Sequence, residues 1–293
     1  MKRISKRRAI YQMSAANPPA ARVTPGETFV VEVEDCYSAR LKTKKDVFTK
    51  EMWPTVNPAT GPVFVEGARP GDILKVEILQ IKTRKWAVMC VEHGAGALAD
   101  FVEGIETVIF PIRGGKLVVS NRFMIPVDTM IGVIGTAPKG APILTGTPGE
   151  HGANMDTKEI AAGATVYLPV NVEGALLALG DLHAVMGDGE VCICGAETAG
   201  EVKLRVSIED RRLPTPCVEN DTHIIFIGSA LHLDDCEKIV LAKAHRYLTE
   251  CLGMKPNDAA RLMSLVGQLR VSQVVDPLKT MKFMLPKEYL AKA

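Results

Sequence analysis

Between residues 23 and 210 the apolar residues come in short runs, not long stripes. Thr28–Val33 reads TFVVEV, Ile73–Leu79 reads ILKVEIL, Val108–Ile112 reads VIFPI and Ala164–Val170 reads ATVYLPV. Leu74, Val76 and Ile78 alternate with Lys75 and Glu77, the period of two that gives a strand one buried and one wet face. Turn-forming residues separate the runs: Pro25-Gly26, Pro70-Gly71-Asp72, Gly114-Gly115, Pro138-Lys139-Gly140 and Gly187-Asp188-Gly189. Dense strands without helices between them predict a mainly β fold, a sandwich or barrel, and argue against a βαβ sheet.

The pattern changes near Pro214–Pro216. From Asp234 to Leu252, Val240, Ala244, Tyr247, Leu248, Cys251 and Leu252 fall on one stripe of a 3.6-residue period, which predicts an amphipathic helix stopped at Gly253. Pro256-Asn257-Asp258 opens a second helix to about Val266. Leu269–Val275 reads as a strand ended by Asp276-Pro277, and Thr222–Ile227 as an apolar strand before the helices. The expected division is therefore a β-rich domain, 1–215, and a smaller C-terminal α+β unit, 216–293. The chain contains no internal repeat.

Composition narrows the function. With 47% apolar and 24% charged residues in 293, the chain can bury a sizeable core and is not disordered. A net charge of +1 gives no footprint for nucleic acid or an anionic membrane surface. No apolar run approaches the roughly 20 residues of a membrane span. The start, MKRISKRRAIYQM, is basic but lacks an apolar segment and cleavage site, so a secretory signal is not expected. Seven irregularly spaced cysteines argue against a disulfide framework and for a reducing cytoplasm.

The densest polar cluster is Gly180–Thr198. Asp181 and His183 are two apart, as are Asp188 and Glu190, and in extended chain each pair points to one side. A carboxylate and an imidazole from one segment suit a divalent cation such as zinc. Gly180, Gly187, Gly189 and Gly195 allow close backbone approach to a small substrate. A polar hairpin whose acids face water reads equally well. In His151–Ile160, Asn154 and Asp156 again sit two apart. Asp156 is a ligand, a general base, or a helix N-cap with Glu159 completing a capping box. Asp35 ends the first strong strand, as a turn former or a ligand. Cys90 and His93 make a weak zinc pair or a packed thiol and a surface imidazole. Cys192 and Cys194 share a face on a strand and read as small buried hydrophobes. His223, His232 and His245 read as structural or surface residues. The chain has no GxSxG elbow, no GxxxxGK[ST] loop, no GxGxxG after a first strand and no HExxH.

Four stretches taken together resemble the acetamidase/formamidase family: Gly61–Leu79 (GPVFVEGARPGDILKVEIL), His151–Asp156 (HGANMD), Gly163–Val191 (GATVYLPVNVEGALLALGDLHAVMGDGEV) and Leu269–Pro277 (LRVSQVVDP), with EDCYSARL at Glu34–Leu41. The resemblance runs in order from about Val23 to Pro286. It implies hydrolysis of a small linear amide, of the formamide or acetamide type, to ammonia and a carboxylate. It implies a jelly-roll-like β-sandwich or barrel core with a smaller C-terminal α+β unit, a cytoplasmic homodimer, and a bound divalent metal, zinc or else calcium. The matching polar positions are Asp35, Asn154, Asp156, Asp181, His183, Asp188, Glu190 and Glu197. Asp35, Asp181 and His183 are expected as metal ligands, and Asn154, Asp156, Glu190 and Glu197 as catalytic residues. Backbone N–H groups near Gly152 and Gly187 are the expected oxyanion donors. Two alternatives stay open: a hydrolase of another C–N bond (urea-like, guanidine-like or a larger amide), and a β-sandwich that binds metal or a small ligand without turnover.

Overall fold

The computed structural model of the chain describes residues 1–290. Two large sheets pack face to face. The first has nine strands in the order Lys2–Ile4, Thr28–Val33, Gly200–Glu209, Ile73–Thr83, Thr165–Pro169, Cys217–Glu219, His223–Ala230, Lys279–Pro286 and Gln268–Gln273. The second runs Phe123–Pro126, Lys116–Ser120, Ile105–Arg113, Trp86–Glu92, Glu197–Thr198, Leu177–His183, Met130–Gly135, Gly152–Asn154, and its strand Ala59–Val65 also pairs with Leu177–His183. The main core lies between them. Phe29, Val31, Leu74, Val76, Ile78, Val202 and Leu204 of the first sheet meet Val63, Val65, Ile131, Ile134, Leu177 and Leu179 of the second. The alternation in Ile73–Thr83 is the cause: Leu74, Val76 and Ile78 are buried while Lys75 and Glu77 stay partly exposed. The fold is thus mainly β and sandwich-like; its sheets do not close into a barrel.

The first sheet crosses Pro214–Pro216 without a break. Thr165–Tyr167 pairs with Cys217–Glu219, which pairs with Ile224–Phe226. The helices Leu233–Arg246 and Pro256–Val266 cover the far face of this extension. Val240, Ala244 and Leu248 pack there on Phe226, Phe283 and Leu285. The first helix runs on through a π-helical turn, Tyr247–Cys251, and the chain turns at Gly253 with φ +73°, the left-handed conformation that favours glycine. The strand Lys279–Pro286 has no counterpart in the sequence reading. Both its faces are covered, Phe283 and Leu285 by helices and Met284 by the main core, so the polar alternation that marks a half-wet strand is missing.

Candidate active site

The strand Leu177–His183 is buried along its whole length and delivers two polar side chains at its C-terminal end. The ladder to Met130–Gly135 steps from Ile131↔Leu182 to Val133↔Gly180 and skips Asp181, whose φ is +56°. Asp156 (φ +41°) and Glu190 (φ +48°) are left-handed too. Non-glycine residues held in this region mark places where the surroundings impose strain, and functional sites are where it collects. Glycine makes the convergence possible. A Cβ on Gly132 would stand 2.5 Å from Asp156 Oδ1 and 2.7 Å from Asp181 Oδ2, and one on Gly195 2.8 Å from His183 Nδ1.

His183 is the centre. Its Nε2 lies 3.3 Å from Glu197 Oε1, 3.4 Å from Asp181 Oδ1, 3.7 Å from Asp156 Oδ1 and 3.8 Å from Glu190 Oε1. All five residues are buried, none more than 7% exposed. The Gly195 N–H donates to Glu197 Oε1 at 2.8 Å. Both Asp156 oxygens, Asp181 Oδ1, Glu197 Oε2 and His183 Nδ1 are buried without a hydrogen-bond partner among the described residues. Burial raises the Asp156 carboxyl to about 6, with His183 opposing and Asp181 adding to the rise. Burial and then neighbouring carboxylates push Glu190, Glu197 and Asp276 well above the usual carboxylate range. Burial also acts to raise Asp181, but the His183 imidazole outweighs it and holds that carboxyl low. The same pairing lifts His183 against the effect of its own burial. Four acids crowd one imidazole in a dry site where ionising them together is disfavoured, a condition that a bound cation relieves.

The donor set fits a divalent metal. Asp156, His183 and Glu190 form one group whose ligand atoms lie within 4.8 Å of one another, and Cys36, Asp181 and Glu197 form a second. Imidazole, carboxylate and thiol together are ligands zinc accepts.

Of the residues expected from sequence, Asp156, Asp181, His183, Glu190 and Glu197 meet here, and Asn154 joins them through Asp276, to which its Nδ2 donates at 2.9 Å. Asp35 does not belong to the cluster. It is fully buried, but its Oδ1 accepts from the Tyr37 and Ala39 N–H groups and its Oδ2 pairs with Arg84 Nη2 at 2.8 Å. That carboxylate holds a turn, faces the Arg84 guanidinium and belongs to neither candidate ligand group, so the expected metal ligand at Asp35 gains no support from this geometry. Asp188 diverges from Glu190, because the left-handed Gly189 and Glu190 break the extended geometry that would align them. Asp188 bonds Lys282 at 2.8 Å instead. Asp156 caps no helix, and Glu159 turns away to Lys282 at 2.7 Å. The Gly152 N–H is taken by the Gly149 carbonyl, which removes it as an oxyanion donor. Cys192 and Cys194 lie in a turn and not on a strand, and only Cys194 is buried.

Two members escaped the sequence reading. Cys36 sits beside Asp35, yet it is the thiol and not the carboxylate that reaches Asp181 and Glu197. Asp276 was legible only as a strand terminator before Pro277; no spacing rule connects it to Asn154, 122 residues away.

Above the acids opens a cavity of about 680 Å³. Cys36, Asn154, Asp181, Glu190, Glu197 and Asp276 line one part, and Tyr37, Phe48 and Trp53 another. Phe48 stacks edge-on against Trp53, centroids 4.9 Å apart, and lies 6.0 Å from Tyr37.

Fold and site together define a class: a β-sandwich with a buried polyacid–imidazole centre open to a small-molecule cavity. The sequence profile of the acetamidase/formamidase family matches residues 14–144 and 141–290, and the chain belongs to that family. The crystal structure of an acetamidase from Bacillus halodurans superposes with a TM-score of 0.97 at 46% identity, covering 99% of each chain. The formamidase of Methylophilus methylotrophus is 28% identical over 251 residues, 65% of this chain and 61% of its own. The acetamidase of Mycolicibacterium smegmatis is 27% identical over 260 residues, 65% and 63% respectively. The match to these curated relatives therefore spans less than two thirds of their length.

Proposed function

We propose that this chain is an amidohydrolase that converts a linear amide and water to a carboxylate and ammonia, with a divalent cation, zinc in our reading, among its buried acids. The observation that carries this is the set of unpartnered buried oxygens on Asp156, Asp181 and Glu197 around His183. His183, Asp156 and Glu190, with Asp181, Glu197 and Cys36 alongside, would hold the ion. When bound, such a cation would supply Lewis acidity and lower the pKa of water toward roughly 7. The chain's own groups do the rest. Asn154 Oδ1 is buried, has no partner and belongs to a residue lining the cavity, so it accepts an N–H of the amide and orients it. Asp276, outside both ligand groups, has its carboxyl pushed well above the usual range by burial and then by Asp156, and it places a proton beside the departing nitrogen. The C–N bond breaks, the nitrogen leaves as ammonia and the acyl carbon keeps the water oxygen. In this reading residues 1–215 bear the reacting set and 216–293 close it through Asp276. Seven free cysteines support a reducing, cytoplasmic setting, and a homodimer is carried as part of the same reading.

The test is ammonia release from formamide and acetamide by the zinc-loaded protein and by Asp181→Asn and His183→Ala. Each variant is expected to lose roughly 10³-fold in kcat/KM, the scale of removing a group that stabilises developing charge. If both variants remain within tenfold of the parent while folded, the site assignment is wrong.

A further inference from the structure

We infer that the cavity accepts an apolar acyl group well beyond the methyl of acetamide, so that the preferred substrate is a primary amide of a medium-length alkyl or an arylalkyl acid. This rests on the amidase reading of the site and names its substrate class.

Size is the first reason. At roughly 30 Å³ per heavy atom, the four heavy atoms of acetamide fill about 120 Å³. The cavity is about 680 Å³, in the range that holds ligands of drug size. Its chemistry is the second. Asp181, Glu190 and Glu197 gather on His183, and elsewhere the lining is in greater part apolar, with Tyr37, Phe48, Trp53, Leu144, Ile193 and Pro277 outweighing the polar Asn57, Glu92, Thr145 and Thr147. An amide group is polar and an acyl chain is not, and Asn154, Asp181, Glu190, Glu197 and Asp276 line one part of the cavity while the rings of Tyr37, Phe48 and Trp53 line another. The amide's nitrogen end therefore faces the acids and its acyl end the aromatic rings.

The wall is also built rather than loose. Phe48 and Trp53 come from a segment with little regular structure, the 3₁₀ turn Lys50–Thr55 aside. Arg40 ties that segment down from within. Its Nε donates to the Tyr37 carbonyl at 2.9 Å and its Nη2 to the carbonyls of Met52 at 3.2 Å and Thr55 at 3.0 Å. Ser38 Oγ donates to the same Thr55 carbonyl at 2.8 Å. Phe48 and Met52 pack on the core of Tyr37, Leu41 and Cys90. A preordered wall binds an acyl chain without an ordering penalty.

The experiment is a kcat/KM series for ammonia release from formamide, acetamide, butanamide, hexanamide and phenylacetamide. Burying one methylene is worth roughly fourfold, so hexanamide, with four more methylenes, is expected to exceed acetamide by roughly 250-fold. Trp53→Ala, at a half-exposed rim position, is expected to cut the hexanamide-to-acetamide ratio by about tenfold. A separate binding readout uses fluorescence, since the chain has only two tryptophans. Saturable quenching by hexanamide is expected in the parent and in Trp86→Phe, and not in Trp53→Phe. Turnover of acetamide with a flat or falling series and no quenching overturns the proposed acyl site and leaves the amidase reading standing. Saturable quenching by hexanamide with no ammonia from any amide sinks the amidase reading and leaves the cavity's ligand class.

Discussion

Two charge clusters share the same loops and end in opposite states. Asp156 and Glu190 face His183, while Glu159 and Asp188, a few residues along the same segments, face Lys282. Around the fully buried Lys282 the accounts close. Its Nζ donates to Glu159 Oε2 at 2.7 Å and Asp188 Oδ1 at 2.8 Å, and Lys158 Nζ lies 3.2 Å from Asp188 Oδ2, so two cations meet two carboxylates. Around His183 one imidazole faces four carboxylates, and several of their oxygens have no partner. A buried ion cluster that the chain completes by itself is structural; one left open electrostatically is prepared for something from outside. The Lys282 cluster holds the backs of the two loops whose fronts form the site.

That contrast can be broken by measurement. The largest expected effect is at Lys282. Lys282→Met leaves two carboxylates without their buried partner, and denaturant unfolding is expected to show a loss of about 3 kcal/mol. A midpoint unchanged from the parent would mean the loops are not held there.

Next is a comparison of buried imidazoles. His183 sits among acids and its pKa is raised, whereas His151 is buried with no charged partner and burial alone lowers it to about 4. The unfolded chain, with His near 6.5, takes up that proton first. The His151 contribution is therefore fully present above pH 6.5 and is lost as pH falls from 6.5 toward 4. Up to about 3 kcal/mol of unfolding free energy is expected to disappear over that window, and His151→Gln is expected to flatten this part of the stability–pH curve. An equal slope in the variant would assign the loss to other groups.

The smallest effect carries the sharpest sign test. In metal-free protein Asp156→Asn removes one like charge from the open cluster and is expected to raise stability by about 1 kcal/mol, while Glu159→Gln in the closed cluster is expected to lower it by about as much. Two shifts of the same sign would erase the distinction between the clusters.

Much of the fold is legible along the chain because strand and helix periods are local. The alternation in Ile73–Leu79, the stripe of Val240, Ala244 and Leu248, and the stop at Gly253 each reappear in the structure. The strand Lys279–Pro286 is not legible, since burial on both faces erases its period. At the site, Asp181 and His183 stand out through spacing and glycine context, and the long run Gly163–Val191 carries the family resemblance. Asp35 and Asp188 show the limit of that signal. Their sequence context equals that of true members, and only Arg84 and Lys282, distant in the chain, draw them away.

The residue order by itself determined which segments become strands and helices, and which acids could matter, because those follow from side-chain period and backbone propensity within a few residues. The three-dimensional packing decided which acids share a space. Left-handed backbone at Asp156, Asp181 and Glu190, room made by Gly132, and partners more than a hundred residues apart select the members of the cluster, and none of these is a property of a local stretch of chain.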